Sequence, residues 1–492
     1  MTRQVQRVAI AVFVLFAALF VNLNYLQVVR AQELEEHERN ARGLLREYDE
    51  QRGSIVAGQG RAAFEIAESV ETDDRLRYLR QYPAGELYAH VTGYYSFIFG
   101  RSELESSANE FLIGSAPEVF TRNIADLLSG RQRSGDRVRT TLRQPVQEAA
   151  RDALGDRVGA VVALDPRDGG VLALWSSPSY DPDPLASHDA QQVCSAWQSL
   201  NADPAKPLLN RAVREWYPPG STFKIVTAAA ALESGVPPDQ PYPDPVTLDL
   251  PQTTADIGNF GGSTCAGGDT ITLEQALIVS CNTTFAQLGL DVGAEALIRQ
   301  AEAFGFNADI PFGLPEVLPS RIPKELDAPS TAQSAIGQRD VRATPLQMAM
   351  TAGAIGSGGV VMRPRVVEQI EDHEGRLVKQ YPPEPLSDEQ PAVSARKAAT
   401  LTRMMVGVVE AGSGTAAAID GVTVAGKTDT AQTGEGRSPT VWFVGFAPAE
   451  QPRVAVAVVV PDGGDVGSEA TGGAVAAPIA KAVMEAALDE AE

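Results

Sequence analysis

The sequence predicts an α+β fold: a mixed sheet with helices on both faces and a helical lobe beside it, preceded by a membrane-spanning helix and a pedestal domain. Three observations carry this reading. Apolar strand patterns stand at 159–165 and 170–175 and return at 422–430, 441–446 and 454–460, with helical patterns dominating Leu273 to Met350 between them. Strands at both ends of a segment build one sheet from the two ends, which leaves the helices between them as a second lobe with a cleft alongside. The 492 residues also exceed one ordinary core, so two or three domains follow. Finally, an uncharged stretch, Val8 to Val29, precedes everything else.

Residues 1–7 form a short tail with Arg3 and Arg7, and 8–29 are long enough for one bilayer crossing. Basic residues before the span, and Glu33, Glu35 and Glu36 after it, place the amino terminus in the cytoplasm. A signal peptide cleaved near Val28-Val29-Arg30-Ala31 is the alternative, and either way the body is exported. Glu33 to Glu50 has charged helical spacing, and Gln51 to Ala57 reads as a turn into a short strand. From there to about Asp136 the pattern is mixed and carries no chemistry, as expected of a stalk or interaction domain. Pro145 near the first turn opens a helix running to about Leu154. Pro166-Arg167-Asp168-Gly169 joins the first two apolar strands as a hairpin. Asp181 to Ala205 reads as a polar loop, and a last helix is expected from about Ala474 to Leu488.

A net charge of −22 argues against nucleic acid as a partner, because a polyanion is repelled by most of such a surface. No His/Cys/Asp/Glu cluster has metal-ligand spacing, and no cofactor motif occurs. Three cysteines fit an exported chain in which one pair oxidises. Cys265 and Cys281 flank a short loop whose closure contributes about 3 kcal/mol in the chain-entropy model. Their pairing is expected, with Cys194 left free.

The chemistry centres on Pro218-Pro219-Gly220-Ser221-Thr222-Phe223-Lys224, where prolines and a glycine set a turn and an apolar helix follows to Leu232. Residues three apart share a helix face, so the Lys224 amine is expected beside the Ser221 hydroxyl, at the positive end of the helix dipole. An amine kept out of water loses its proton readily and can activate the hydroxyl. Ser-x-x-Lys is a weak pattern, however, and Ser394-Ala395-Arg396-Lys397 repeats it in a charged, surface-like stretch. Thr272-Leu273-Glu274-Gln275 opens a helix as a capping box, and that helix breaks at Ser280-Cys281-Asn282 before resuming. A hydroxyl there can relay a proton, and an amide can hold both a lysine and a substrate carbonyl. Lys427-Thr428-Asp429-Thr430 lies in a late strand, where backbone donors, hydroxyls and a lysine charge can face a nucleophile.

In this order, Ser-x-x-Lys, Ser-x-Asn and Lys-Thr resemble the motifs of the penicillin-binding transpeptidases and serine β-lactamases. The likeness extends to Arg52-Gly53-Ser54-Ile55, Tyr217-Pro218-Pro219-Gly220, Ile336-Gly337-Gln338, Thr344-Pro345-Leu346, Gly414-Thr415-Ala416 and Trp442 to Pro448. It is greatest to the class B penicillin-binding proteins of the penicillin-binding protein A type. This resemblance implies a pedestal of about 30–145 and a transpeptidase domain of 146–492 outside the cytoplasmic membrane. It implies that Ser221 attacks the D-Ala-D-Ala carbonyl of a peptidoglycan stem peptide and that an amine of a second stem resolves the acyl-enzyme; penicillins and other β-lactams would acylate the same serine. By position Lys224 is the base, Ser280 and Lys427 relay the proton, and Asn282 orients Lys224 and substrate. Thr428 and Thr430 meet the terminal carboxylate, and the backbone N–H groups of Ser221 and Thr430 form the oxyanion hole. The partners implied are a membrane glycosyltransferase and other cell-wall synthesis or division proteins.

Asp429 departs from the glycine that the family carries after Lys-Thr. It shares a strand face with Lys427, so it is expected to pair with that lysine, crowd the cleft and repel the β-lactam carboxylate. It keeps open a weakened enzyme serving as scaffold or β-lactam sensor. A β-lactamase would need Glu-x-x-x-Asn to activate water. Asn307 is preceded at that spacing by Ala303, which favours transfer to an amine. A Ser-His-Asp hydrolase is disfavoured because His37, His90, His188 and His373 all lie in polar stretches far from Ser221.

Overall fold

The computed structural model describes residues 2–26, 47–119, 134–387, 390–431 and 439–490. The helix expected over Glu33 to Glu50 falls almost wholly outside them, as does the end of the span at Val28 and Val29. Helix α1, Thr2–Asn24, begins inside the presumed tail. Its Arg3–Asn24 portion has 22 residues and a mean hydropathy of 2.1, with its side chains exposed along its length. At 1.5 Å per residue it is long enough to cross a membrane core of about 30 Å.

The pedestal contains β1 (Ile55–Ala57), β2 (Phe64–Glu71), β3 (Tyr78–Gln81) and β4 (Arg137–Thr140). Helix α2 (Gln144–Leu154) leads to β5 (Gly159–Leu164) and β6 (Val171–Ser177), joined by the expected hairpin. The expected polar loop at 181–205 is instead largely helical, with Asp183–Ala186 and α3 (Ala190–Ala202). Asp189 caps α3 by accepting from the Gln191 amide at 2.8 Å, and Trp197 and Leu200 pack with Tyr94, Tyr180 and Leu185. Polar residues between those apolar positions hid the helical period.

The helical lobe includes α4 (Lys224–Glu233), α5 (Leu273–Ile278), α6 (Asn282–Val292), α7 (Ala328–Ala335) and α8 (Pro345–Gly356). Then follow β7 (Val367–Glu371), β8 (Leu377–Gln380), α9 (Ala395–Ala411), β9 (Ala425–Ala431), β10 (Thr440–Ala447), β11 (Val454–Val460) and α10 (Ala477–Asp489). The main sheet has the order β9-β10-β11-β5-β6 and is antiparallel throughout. It is assembled from both ends of the segment, as the pattern required. Every residue of β10 and β11 is buried, so both faces of this sheet are covered. Helices α8 and α10 both pack against β11.

A second sheet has the order β8-β7-β4-β1-β2-β3. Strands β7 and β8 come from beyond the helical lobe, so the pedestal sheet draws on residues far outside 30–145. Inside the pedestal Glu105 is fully buried between two guanidinium groups, accepting Arg52 Nε at 2.5 Å and Arg80 Nε at 2.6 Å. Burial alone would raise its pKa, but Arg80 and Arg52 outweigh it and hold the carboxyl below its ordinary range. Gly53, next to Arg52, must be glycine: a Cβ there would lie 1.9 Å from the Asp136 carbonyl oxygen. The pedestal docks on the larger domain through polar contacts, including Arg214 bidentate to Glu103 at 2.7 and 2.9 Å and Gln147 Nε2 to the Leu87 carbonyl at 2.8 Å.

Candidate active site

Ser221 sits in a 3₁₀ turn, Gly220–Phe223, that leads directly into α4. Gly220 has φ +50° and donates its N–H to the Gly337 carbonyl at 3.0 Å. A Cβ on Gly337 would lie 2.1 Å from the Gly220 oxygen, so the two signatures interlock through paired glycines. Tyr217 and Ala343 exchange backbone hydrogen bonds, and Trp442 Nε1 donates to the Pro218 carbonyl at 3.0 Å. The turn is therefore clamped by the segment that follows α7 and by β10.

Lys224, the first residue of α4, is completely buried. Its Nζ donates to the Ser280 carbonyl at 2.8 Å and to Asn282 Oδ1 at 2.7 Å, with Ser280 Oγ farther off at 3.4 Å. No hydrogen bond joins it to the Ser221 hydroxyl among the described residues. A neutral amine has two N–H groups and one lone pair. The two short contacts match those two donors and leave the lone pair without a short contact. Burial, with the charge of Lys427 added, pushes Lys224 well below its ordinary pKa, while Asp429 opposes the shift.

Ser280 occupies the break between α5 and α6 with φ +62°, a left-handed conformation held by its neighbours. The Cys281 N–H donates to the Ala276 carbonyl at 2.8 Å, and Cys281 is disulfide-bonded to Cys265, as expected from the cysteine count. Cys194 is free and exposed. Asp244 approaches the same sulfurs, but its oxygens accept the Cys265 and Ala266 amides at 2.8 and 2.6 Å, which marks a loop brace. Asn259 Oδ1 accepts from the Asn282 and Thr283 amides at 3.2 and 3.0 Å and so caps α6 from outside. Asn282 Nδ2, expected to face substrate, donates to the Gly258 carbonyl at 3.1 Å.

Strand β9 is the sheet edge, and it carries Lys427, Thr428, Asp429 and Thr430 to the cleft. Lys427 Nζ donates to Ser280 Oγ at 2.8 Å and to the Thr428 carbonyl at 2.9 Å. Burial lowers its pKa, against the influence of Asp429. Thr428 Oγ1 shares a hydrogen bond of 2.5 Å with Ser413, and Thr430 Oγ1 accepts from Gly472 at 3.3 Å. The expected pairing of Asp429 with Lys427 is not what forms. Asp429 Oδ1 instead accepts the backbone N–H of Ser221. The cleft, about 580 Å³, is lined by Ser221, Ser280, Asn282, Thr428, Asp429 and Thr430. Gln338, from the Ile336-Gly337-Gln338 signature, also lines it, as do Asn259, Ser413, Thr471 and Gly473, which were not read from the sequence. Gly414-Thr415-Ala416 was the one local signal near Ser413. The second Ser-x-x-Lys is structural: Ser394 opens α9, and its hydroxyl and amide both hold Glu233, at 2.7 Å each.

The penicillin binding protein transpeptidase domain model matches residues 159–485, two thirds of the chain, and the penicillin binding protein A dimerisation domain model matches 52–138. The chain belongs to the penicillin-binding transpeptidases. It is 44% identical over 498 residues to peptidoglycan D,D-transpeptidase PbpA of Mycolicibacterium smegmatis, covering 100% of both chains. The protein of the same name from Mycobacterium tuberculosis is 42% identical over 499 residues, 99% of each. Among solved structures, the ceftriaxone acyl-enzyme of penicillin-binding protein A from M. tuberculosis superposes with a TM-score of 0.85 at 43% identity, covering 90% of this chain and all of that one. Its penicillin G acyl-enzyme gives 0.83 at 42%, covering 89% and 100%. The α+β class and the penicillin-binding protein A likeness read from the motifs are therefore correct.

Proposed function

We propose that this protein is a peptidoglycan D,D-transpeptidase that cross-links stem peptides through an acyl-enzyme on Ser221 and is covalently inhibited by penicillins. The observation that carries the reading is the Lys224 amine, buried and depressed in pKa, with both N–H donors committed to Ser280 and Asn282 and its lone pair left over. Ser221 Oγ attacks the carbonyl of the penultimate D-Ala and passes its proton to Lys224 Nζ, while the carbonyl π pair moves onto oxygen. Collapse restores the carbonyl and breaks the C–N bond. The leaving D-Ala nitrogen takes a proton through Lys427 and Ser280, which lie 2.8 Å apart. The amine of a second stem then attacks the ester and releases Ser221. Thr428 and Thr430, on the edge strand, meet the terminal carboxylate.

In this reading α1 anchors the chain in the cytoplasmic membrane with its amino terminus inside, and the catalytic domain lies outside. The larger domain spans residues 146–492 and lends β7 and β8 to the pedestal sheet. The pedestal, about 30–145, meets a glycosyltransferase or division proteins. The deciding measurement is intact mass of the chain from Gln32 onward after incubation with a penicillin, alongside Ser221→Ala. A stable adduct of one β-lactam that is absent from the variant is expected. Drug consumed without an adduct would instead mean a β-lactamase.

A further inference from the structure

An oxyanion hole must be empty to work, since its donors are aimed where charge develops on the attacked carbonyl oxygen. In this protein one of the two expected donors is taken. The backbone N–H of Ser221 points at Asp429 Oδ1, across 208 positions of sequence. The other expected donor belongs to Thr430, the next residue along β9. The fit is close: a Cβ on Gly220 would lie 2.2 Å from each carboxylate oxygen, so the turn has room for Asp429 only because residue 220 is glycine. Asp429 is 4% exposed, and its Oδ2 has no hydrogen-bond partner among the described residues. A buried carboxylate oxygen left unpaired is destabilising, which makes this a half-satisfied resident. Asp429 also lines the cleft.

We propose that Asp429 is a built-in plug of the oxyanion hole: its carboxylate occupies the Ser221 N–H, and acylation of Ser221 requires it to be displaced. This rests on the acyl-transfer reading above and adds a control to it. The tetrahedral oxyanion forms when the Ser221 Oγ–C bond is made and the carbonyl π pair moves to oxygen; that oxygen and the Asp429 side chain compete for the Ser221 N–H. The charged groups facing Asp429 are Lys427 on its own strand and Lys224 on α4, while the Ser221 turn and the Gly472 segment present backbone. Occupancy and charge are thus separable by substitution. Asp429→Asn removes the charge and keeps an oxygen able to accept the Ser221 N–H, whereas Asp429→Gly and Asp429→Ala remove the occupant.

The test measures the second-order rate of acylation by a fluorescent penicillin for the native chain and these three variants, on the high-pH plateau of each profile. Thermal unfolding reports that each is folded. Losing one oxyanion donor slows such enzymes about 10²- to 10³-fold, so freeing the hole is expected to speed acylation by about 10²-fold in the Gly and Ala variants. The Asn variant should lie at least about tenfold below them, because it still fills the hole. A boronic acid, whose tetrahedral adduct with Ser221 presents an oxygen to the hole, should bind the Gly variant more tightly by a similar factor. Equal plateau rates for Asn and Gly would overturn the plug and leave only an effect of charge. Gly and Ala rates no faster than native, with native labelled at Ser221, would overturn it too while the acyl-transfer reading stands. No adduct on any of the four proteins would remove the acyl-transfer reading itself, and the plug with it.

Discussion

Asn282→Asp tests the assignment of the base at its most sensitive contact. The amide oxygen of Asn282 is 2.7 Å from Lys224 Nζ, and the substitution changes shape very little while placing a full negative charge there. Coulomb's law gives about 6 kcal/mol of attraction to an ammonium at that separation with an effective dielectric of about 20. Desolvating the new carboxylate takes back several kcal/mol, and carboxylate neighbours in proteins raise such a group by about 1–3 pKa units. If neutral Lys224 deprotonates Ser221, the acid limb of the acylation profile must move up in pH by that amount. The rate at neutral pH then falls about 10- to 1000-fold, one decade per unit, and the plateau returns at higher pH. The assay is the second-order rate of penicillin acylation across the pH range in which the variant stays folded, with Asn282→Ala beside it. Asn282→Ala is expected to lower the plateau without moving the limb upward. A uniformly lowered Asn282→Asp profile with an unmoved limb would refute the reasoning, because Asn282 would then act on substrate and not on the charge of Lys224.

Two further outcomes follow from the pedestal and its junction. Glu105→Leu strands the buried guanidinium groups of Arg52 and Arg80, which lie at 2.5 and 2.6 Å from its oxygens, and is expected to destabilise the protein by about 3–5 kcal/mol in denaturant unfolding. A loss under about 1 kcal/mol would mean the pair is not desolvated as it stands. His90 is buried with Nε2 against the Pro207 carbonyl at 2.9 Å, and burial pushes its pKa down to about 4 from an ordinary 6.5. The unfolded chain binds this proton more readily, so the stabilisation is complete above about pH 6.5 and is lost as pH falls towards 4. The loss amounts to about 3 kcal/mol. His90→Gln should flatten that limb of the stability profile; an unchanged limb would assign it to carboxylates instead.

What could be read in the sequence was what local rules decide. The Ser221 turn, the capping box at Thr272 and the strand pattern of Val454–Val460 each follow from propensity or periodicity within a few residues, and each stands where it was expected. The recruitment of β7 and β8 to the pedestal was not legible. Thr140 pairs with Val367 across more than two hundred positions, and nothing in either short strand names its neighbour. Asn259 was missed for the same reason: its side chain caps a helix that begins more than twenty residues later. Asp429 shows the limit most sharply. Alternation along β9 correctly puts it on the face of Lys427, and from the sequence the nearest opposite charge is the natural partner. The amine is already held by Ser280 Oγ and the Thr428 carbonyl. A glycine at 220 leaves a carboxylate-sized space beside the Ser221 N–H, and the side chain turns there. Strand periodicity fixes the face a residue occupies, but its partner is fixed by which donors the rest of the fold has left unfilled.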